Sequence, residues 1–458
     1  AFLWIRNKFY ERNTTFHVIC GRGNNGGDGL VIARLLHLDG YNVIVNCIDG
    51  AGKPSEDFTR SLEKLKEHDI LYTTALTSID SNSIVIDAIF GTGISRNPEG
   101  EVKEAIERIN AAGAIVISVD VPSGLFPDKT SSLAVKSDVV LTFQFSKLAF
   151  YLPSNRAYLT YIAIIDIGLD DEYIRETPTD TYLIDAHEAR FRVKPVPFYA
   201  HKGTQGHALI IGGSHGKIGA ACLSARAALK SGCGLVTAYL PECGYTVIQS
   251  SFPEAMALTG GDRHITKIEF EIQPKAIGIG PGLGMHKETV LAFGDFLKQN
   301  KTQLVIDADA LNILSENTEW LDLLPKDSIL TPHPLELQRL IGQWDDDFDR
   351  LEKIKAFSKK YKLIIVAKDA DTMVFHNDSI YINSTGNAGL ATGGSGDVLT
   401  GIITGLLAQS YSPVNAAICA VYLHGLSADI GVEKTGRHSF IASDIITYLG
   451  AAYLKTDL

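Results

Sequence analysis

Short apolar runs alternate with mixed stretches along most of the chain. In the first half, FHVIC (16–20), YNVIVNCI (41–48), SIVIDAIF (83–90), AIVISVD (114–120), DVVLTF (138–143) and YIAIIDIG (161–168) read as strands. Between the first two lies LVIARLLHLD (30–39), a helical pattern stopped by Gly40 as a C-terminal cap. PSEDFTRSLEKLKEHD (54–69) is a second helix, with Pro at its start and a charged, solvated face. Near-continuous apolar strands separated by helices predict a mostly parallel sheet covered on both faces. The pattern fades in DDEYIRETPTDTY (170–182), which sets an expected domain boundary between 172 and 173. It then restarts. HALIIGG (207–213), LVTAYL (235–240), KAIGIG (275–280), LVIDAD (304–309), SILTP (328–332) and LIIVAKD (363–369) read as short buried strands. IGAACLSARAALKSG (218–232) is a helix rich in small residues, and the last long helix is expected after GGSGD, through VLTGIITGLLAQ (398–409). The chain reaches its first strand almost directly from Ala1, so native N-terminal residues are expected to be missing.

Composition narrows the class. The 458 residues suit about two or three domains. A hydrophobic content of 45% suits sizeable cores. The net charge of −11 argues against nucleic acid or a basic membrane surface as partner, while local positive groups can still hold anionic ligands. Six cysteines form no C-x-x-C pair, which predicts a reduced, cytoplasmic protein with thiols in its cores. No run reads as a membrane span or a signal peptide.

The chemistry gathers at strand ends. GRGNNGGDG (21–29) contains G-x-G-x-x-G, follows a strand and opens a helix, and Asp49 ends the next strand. That is the outline of a dinucleotide-binding turn. Asp28 in the first helical turn opposes a pyrophosphate there, because a carboxylate competes for the free N–H groups. Two amides and an acid suit hydroxyls, carboxamides or a cation; a plain chain reversal remains a third reading. Asp87 and Asp120 also end strands, followed by a glycine loop and by Pro122 and Ser123. In a parallel sheet such loops converge on one face. Asn25, Asp87 and Ser123 offer hard oxygen ligands for a cation, and Asp120 an acid or base; helix capping is the alternative for each carboxylate.

NNGGDG, DAIFGTG and D-V-P-S-G together resemble the NAD(P)H-hydrate epimerase family over most of 16–170. The resemblance implies that Asn24, Asn25, Gly26, Gly27 and Asp28, with Gly91, Thr92, Gly93, Ile94, Ser95, Arg96 and Asn97, contact the damaged cofactor. It implies that Asp120 serves epimerisation and that Asn25, Asp87 and Ser123 bind K+. The family's N-terminal helices are largely absent, which leaves part of the pocket wall unaccounted for.

NAGLATGGSGDVLTG (387–401) lacks the P-loop pattern, yet glycines before a helix make an anion cradle from backbone N–H groups. Asp397, in the first turn, is placed to take a proton from an attacking hydroxyl; a structural cap is the plain alternative. HPLELQR (333–339), AKDADT (367–372) and GIGPGLG (278–284) lie at other strand ends, where Arg339 suits a phosphate or a surface ion pair. In HKGTQGH (201–207), His201 and Lys202 suit an anion or solvent equally. H-K-G-T-x-G-H, S-F-P-E-A-M, G-P-G-L-G, D-A-D-A-L-N, T-P-H-P-L-E and N-A-G-L-A-T-G-G-S-G-D, in that order, resemble the NAD(P)H-hydrate dehydratase family, similar in fold to the ribokinases. The resemblance implies that Gly282, His333, Pro334, Leu335, Glu336, Leu337, Gln338 and Arg339 hold the hydrate. Lys368, Asp369, Ala370, Asp371 and Thr372, with Asn387, Ala388, Gly389, Leu390, Ala391, Thr392, Gly393, Gly394, Ser395 and Gly396, would hold ADP, with Asp397 as the base and Mg2+ on the phosphates.

The two resemblances imply a Rossmann-like α/β/α epimerase domain (1–172) and a ribokinase-like α/β/α dehydratase domain (173–458). They also imply a homo-oligomer, a tetramer through the second domain, with hydrated NADH or NADPH and ADP as its small-molecule partners. A small-molecule kinase with an added nucleotide-binding domain is the rival, and a non-catalytic nucleotide sensor a third class.

Overall fold

The computed structural model describes residues 1–49 and 53–457. They form two compact units, Ala1–Pro178 with Asp346–Phe348, and Thr179–Asp345 with Asp349–Leu458.

In the first unit the strands are β1 (Thr15–Cys20), β2 (Asn42–Cys47), β3 (Tyr72–Thr73), β4 (Ile84–Ala88), β5 (Ile115–Val119), β6 (Ser137–Phe143) and β7 (Leu159–Ile165). They make a seven-stranded sheet of order β3-β2-β1-β4-β5-β6-β7, parallel throughout. β1 and β4 are neighbours although helices and two strands separate them in sequence, so the order reverses between them. Ligands of open parallel sheets bind at the carboxyl end of such a switch point. β4 is buried along its whole length, which accounts for a run that is apolar apart from Asp87. A helix, Phe2–Lys8, precedes β1, where the sequence led directly into a strand; its Ile5 is fully buried in the first core. The helix Gly100–Ala111, between β4 and β5, was also not expected; it buries Val102, Ala105, Ile106 and Ile109.

The second unit holds β8 (Thr181–Ile184), β9 (His207–Ile211), β10 (Leu235–Leu240), β11 (Met256–Thr259), β12 (Ala276–Ile279), β13 (Leu304–Ile306), β14 (Ile329–Leu330), β15 (Ile364–Ala367), β16 (Met373–His376) and β17 (Ser379–Asn383). Their order is β11-β10-β9-β12-β13-β14-β15-β16-β17-β8. The pairs β15–β16 and β16–β17 are antiparallel, and the others are parallel. The switch point falls between β9 and β12.

The small residues of the helix Ile218–Lys230 have a packing reason. A Cβ at Gly401 would lie 2.2 Å from the Ser224 carbonyl oxygen, and one at Gly405 2.5 Å from that of Ala228. The helix Ser395–Ala408 therefore presses backbone-close against it, and that contact fixes where the first turn of the glycine-rich helix sits. This helix is not the last one. Pro413–Thr435 and Ala442–Asp457 follow it. Pro413–Thr435 is long and apolar enough by composition to cross a membrane, but 72% of its apolar window is buried in the protein core. Cys20, Cys47, Cys233 and Cys419 are buried, whereas Cys222 and Cys243 are only half-buried; all six thiols are free.

Candidate functional sites

At the carboxyl edge of the first sheet, the helix Asn24–Leu38 starts against the ends of β1 and β4. The approach requires glycine. A Cβ at Gly26 would lie 1.9 Å from the Gly21 carbonyl oxygen, and one at Gly21 2.0 Å from that of Ile89. Gly26 thus serves packing, and Gly27 faces the backbone of Asp57 and Phe58. Asn24, Asn25 and Asp28 line a cleft of about 580 Å³ with Gly91, Thr92, Gly93, Ile94 and Asp120. Ser95, Arg96 and Asn97 line an adjoining cleft that shares Phe90, Gly93 and Ile94 with the first. Asp49, the acid that a dinucleotide turn would use, is ion-paired to Arg22.

Asp87 lies beneath this cleft, fully buried. Its Oδ1 accepts from Ser123 Oγ at 2.5 Å and Ile89 N at 3.3 Å, and its Oδ2 from Ser118 Oγ at 2.8 Å and Ser123 N at 2.9 Å. Burial raises its carboxyl above the ordinary range, and these donors work against the rise. Asn25 Nδ2 is buried with no hydrogen-bond partner. Nitrogen and oxygen of an amide exchange places on a flip, so the same position can present a carbonyl oxygen.

Asp120 is a non-glycine residue at φ 66, in the left-handed region. Such strain is held only where the surroundings over-determine it. Here Lys147 Nζ lies 2.8 Å from Asp120 Oδ1, and also donates to Thr142 Oγ1 at 2.7 Å and Phe145 O at 3.0 Å. Lys147 is a functional candidate that the strand-end reading missed; its signal is a lone cation in the apolar stretch FQFSKLAF. Asp28 remains accessible at the rim, but the protein around it, then Asp120 and Asp57, pushes its pKa up to about 6.

In the second unit, a cleft of about 990 Å³ is lined by His333 and Pro334, by Lys368, Asp369, Ala370, Asp371 and Thr372, and by the 387–396 loop. From that loop, Asn387, Ala388, Leu390, Ala391, Thr392, Ser395 and Gly396 reach the cleft, whereas Gly389, Gly393 and Gly394 do not. Gly394 is the N-cap of Ser395–Ala408 at φ 90. Asp429 fixes the loop, accepting from Gly386 N at 2.9 Å and Asn387 Nδ2 at 2.8 Å.

Asp307, at the end of β13, is the buried hub. It accepts from Lys368 Nζ at 2.8 Å, Thr331 Oγ1 at 2.8 Å and Thr400 Oγ1 at 2.9 Å. Burial acts to raise its carboxyl, but Lys368 and these hydroxyls outweigh it and hold the group ionised. Asp397 feels the opposite balance. Burial first, then the charges of Asp307 and Asp309, push it up to about 6, with Lys368 countering. A partly buried carboxylate with a pKa near neutrality, beside backbone N–H groups at a helix start, is suited to accept a proton.

The other expected residues divide. His333 and Glu336 form a capping box on Pro334–Ile341, with His333 N donating to Glu336 Oε2 at 2.9 Å. Glu336 backs the cleft 3.9 Å from Lys368. Leu337 turns into the core, Leu335 is exposed, and Gln338 does not line the cleft. Arg339 is held at the surface, donating to Asn312 Oδ1 at 2.5 Å. Gly282, at φ 62, lies where a Cβ would meet the Lys217 carbonyl oxygen at 2.5 Å. Its turn is held by Asp309, which accepts from Gly284 N at 2.7 Å and whose charge helps raise Asp397; Gly282 itself does not line the cleft of about 990 Å³. His201 and Lys202 are exposed. Of the residues to which the motifs gave no role, Asp307 had its strand-end position as a signal; Asp429, in mid-helix, had none.

A parallel sheet and a mostly parallel one, each with a cleft built from loops that follow its strands and a carboxylate lining or beside it, define a two-site α/β protein. A family model described as NAD(P)H-hydrate dehydratase matches residues 208–450, and one described as YjeF-related protein N-terminus matches residues 1–149. A bifunctional NAD(P)H-hydrate repair enzyme of Coxiella burnetii is 32% identical over 444 residues, 94% of this chain and 88% of that one. A counterpart from Moorella thermoacetica is 33% identical over 460 residues, 95% and 87% of the two chains. Among solved structures, an ADP/ATP-dependent NAD(P)H-hydrate dehydratase from Bacillus subtilis, co-crystallised with ATP and Mg2+, shares 29% identity at a TM-score of 0.53, covering 61% of this chain and all of that one. A ribokinase-like superfamily protein from Enterococcus faecalis shares 27% at 0.54, covering 62% and 99%. The second unit is ribokinase-like, and the chain belongs to the family of bifunctional NAD(P)H-hydrate repair enzymes.

Proposed function

We propose that the chain repairs hydrated NADH and NADPH: the first unit epimerises the R and S hydrates, and the second dehydrates the S form with ADP, giving NAD(P)H, AMP and phosphate. The observation that carries this reading is Asp397, raised to about 6 beside the glycine-rich helix start and the Asp307–Lys368 pair.

In the second unit Asp397 takes the proton of the substrate hydroxyl at C6. The oxygen attacks the terminal phosphoryl of ADP, and AMP leaves. The ring nitrogen's lone pair then expels phosphate and restores the dihydronicotinamide. Backbone N–H groups at Ser395 and Gly396, the part of the glycine-rich loop that reaches the cleft at the helix start, cradle the transferring group, and Lys368 adds positive charge. Mg2+ would neutralise charge on the phosphates. The donor set fits an ion carried mainly by the nucleotide, with Asp397 nearby, rather than a protein cage. His333 and Pro334 line the same cleft as the nucleotide residues, which supports them as its floor. The exposed positions of Leu335 and Arg339 favour outer roles for them.

In the first unit water leaves C6 and returns to the other face, through an iminium. Asp120 moves the proton, and Lys147 holds it in place. K+ would sit by Asn25, Asp87 and Ser123. The fully buried Asp87 carboxylate and the orphaned Asn25 amide support that fit. Exposure of Val196, Phe198 and Tyr199, at 69%, 92% and 88%, supports assembly of the second unit into a homo-oligomer. The six free thiols support a cytoplasmic location.

The test is phosphate release from ADP with and without hydrated NADH. Release that requires the hydrate and returns NADH supports the reading. A stable phosphorylated product would favour a kinase, and no turnover at all a nucleotide sensor.

A further inference from the structure

Away from both clefts, three metal-ligating side chains meet on the second unit. His264 lies on the segment after β11, His286 is the N-cap of the helix Lys287–Gln299, and Glu288 is in that helix's first turn. Their ligand atoms all lie within 4.8 Å of one another. His264 Nε2 is 2.8 Å from Glu288 Oε2, and His286 Nδ1 is 3.9 Å from the same oxygen. The two imidazoles stack with centroids 3.7 Å apart and planes at 29°.

The two segments are locked together beside these groups. Thr289 Oγ1, adjacent to Glu288, donates to the Ile265 carbonyl, adjacent to His264, at 2.7 Å, and both Thr289 and Ile265 are fully buried. The turn that carries His264 is itself rigid. Thr266 N donates to Gly260 O at 3.1 Å, and Gly261, at φ 99, leaves room for the His264 carbonyl where a Cβ would lie 2.3 Å away. The ligand backbones are thus held in place before any ion arrives. The side chains keep access to solvent, with 25% exposure at His264, 56% at His286 and 60% at Glu288.

We propose that His264, His286 and Glu288 form a binding site for one borderline divalent transition-metal ion, with Zn2+ the best fit. Two imidazole nitrogens and one carboxylate oxygen match zinc's preferences and leave a fourth position to water. Bonds of about 2.0–2.2 Å place tetrahedral ligands roughly 3.4 Å apart. Ligation requires the two rings to leave their stack so that a ring nitrogen of each points at the ion, and the His286 side chain, 56% exposed, has room to turn. The Glu288 carboxylate offsets part of the ion's positive charge, which two neutral imidazoles leave uncompensated. The ion would clamp the segment after β11 to the exit of the Gly280–Gly284 turn, two residues before His286. It is a site separate from the ions of the repair reactions.

The experiment titrates Zn2+ into the full-length protein by calorimetry, with Co2+ as the spectroscopic probe. The expected result is one saturable equivalent of Zn2+ and visible Co2+ bands of a four- or five-coordinate site. His264→Ala and His286→Ala should each weaken binding about 100-fold or more. Glu288→Gln, nearly isosteric and exposed, should weaken it while leaving the circular dichroism spectrum unchanged. Absence of saturable binding, or binding unchanged in all three variants, would overturn the proposal.

Discussion

Replacing Asp397 by Asn should separate activity from stability. The carboxyl is raised from 3.8 to about 6, first by burial and then by Asp307 and Asp309. The rise is about two pH units, and at about 1.4 kcal/mol per unit the ionised group costs the folded chain up to ~3 kcal/mol. A raised carboxyl loses stability as pH climbs from the unfolded value to the folded one. The penalty therefore develops between about pH 4 and 6 and is constant above. Asn keeps the shape and carries no charge. The variant should be more stable than the parent at pH 7, by ~1–3 kcal/mol, and equal to it near pH 3. It cannot accept the hydroxyl proton, so ADP-dependent dehydration of the S-hydrate should fall ~10²–10⁴-fold. ADP affinity should hold or rise, because a negative charge near the phosphates is gone. Parent turnover should itself fall below pH 6 as Asp397 becomes protonated. The assays are recovery of NADH absorbance, calorimetry with ADP, and denaturant unfolding at both pH values. Near-normal turnover in the variant would refute Asp397 as the base. An equal stability difference at both pH values would refute the burial argument.

Asp87→Ala removes the buried charge beneath the first cleft; epimerisation and its dependence on K+ over Na+ should be lost while dehydration of pure S-hydrate continues, and equal loss of both would point to unfolding. Lys147→Met leaves Asp120 without its cation in a strained backbone; epimerisation should fall roughly 10²-fold, read by chiral separation of the hydrates, and an unchanged rate would remove Lys147 from the site. Gly401→Val forces side-chain atoms into the Ser224 carbonyl; a loss of ~1–3 kcal/mol or more is expected in thermal unfolding, and an unchanged melting temperature would contradict the close helix contact.

The sequence exposed the parallel strands because a strand covered on both faces is apolar at nearly every position, as β4 is apart from Asp87 and β9 apart from His207. It hid the helices Pro413–Thr435 and Ala442–Asp457, the first of them apolar on nearly every face, so that no helical period stands out. It hid the antiparallel pair β16–β17 because each strand is only four or five residues long. The strand-end carboxylates Asp87, Asp120 and Asp307 were visible as positions, since parallel topology sends every such end to one edge. Their partners were not. Lys147 meets Asp120 across 27 residues and Asp429 meets Asn387 across 42, distances over which no local pattern operates. Within HPLELQR the helical period decides which residues face the cleft, and it turns Leu337 inward although the motif carries it with its neighbours.

One chain with two separate sites should clear both epimers of the hydrate. The direct measurement is a progress curve on a mixture of R and S NADH-hydrate with excess ADP. The wild-type chain should carry it to completion, with one AMP formed for every NADH recovered. Asp120→Asn should stop it at the S fraction, apart from slow spontaneous epimerisation. A wild-type curve that halts with the R-hydrate intact, or AMP formation without NADH recovery, would contradict the account.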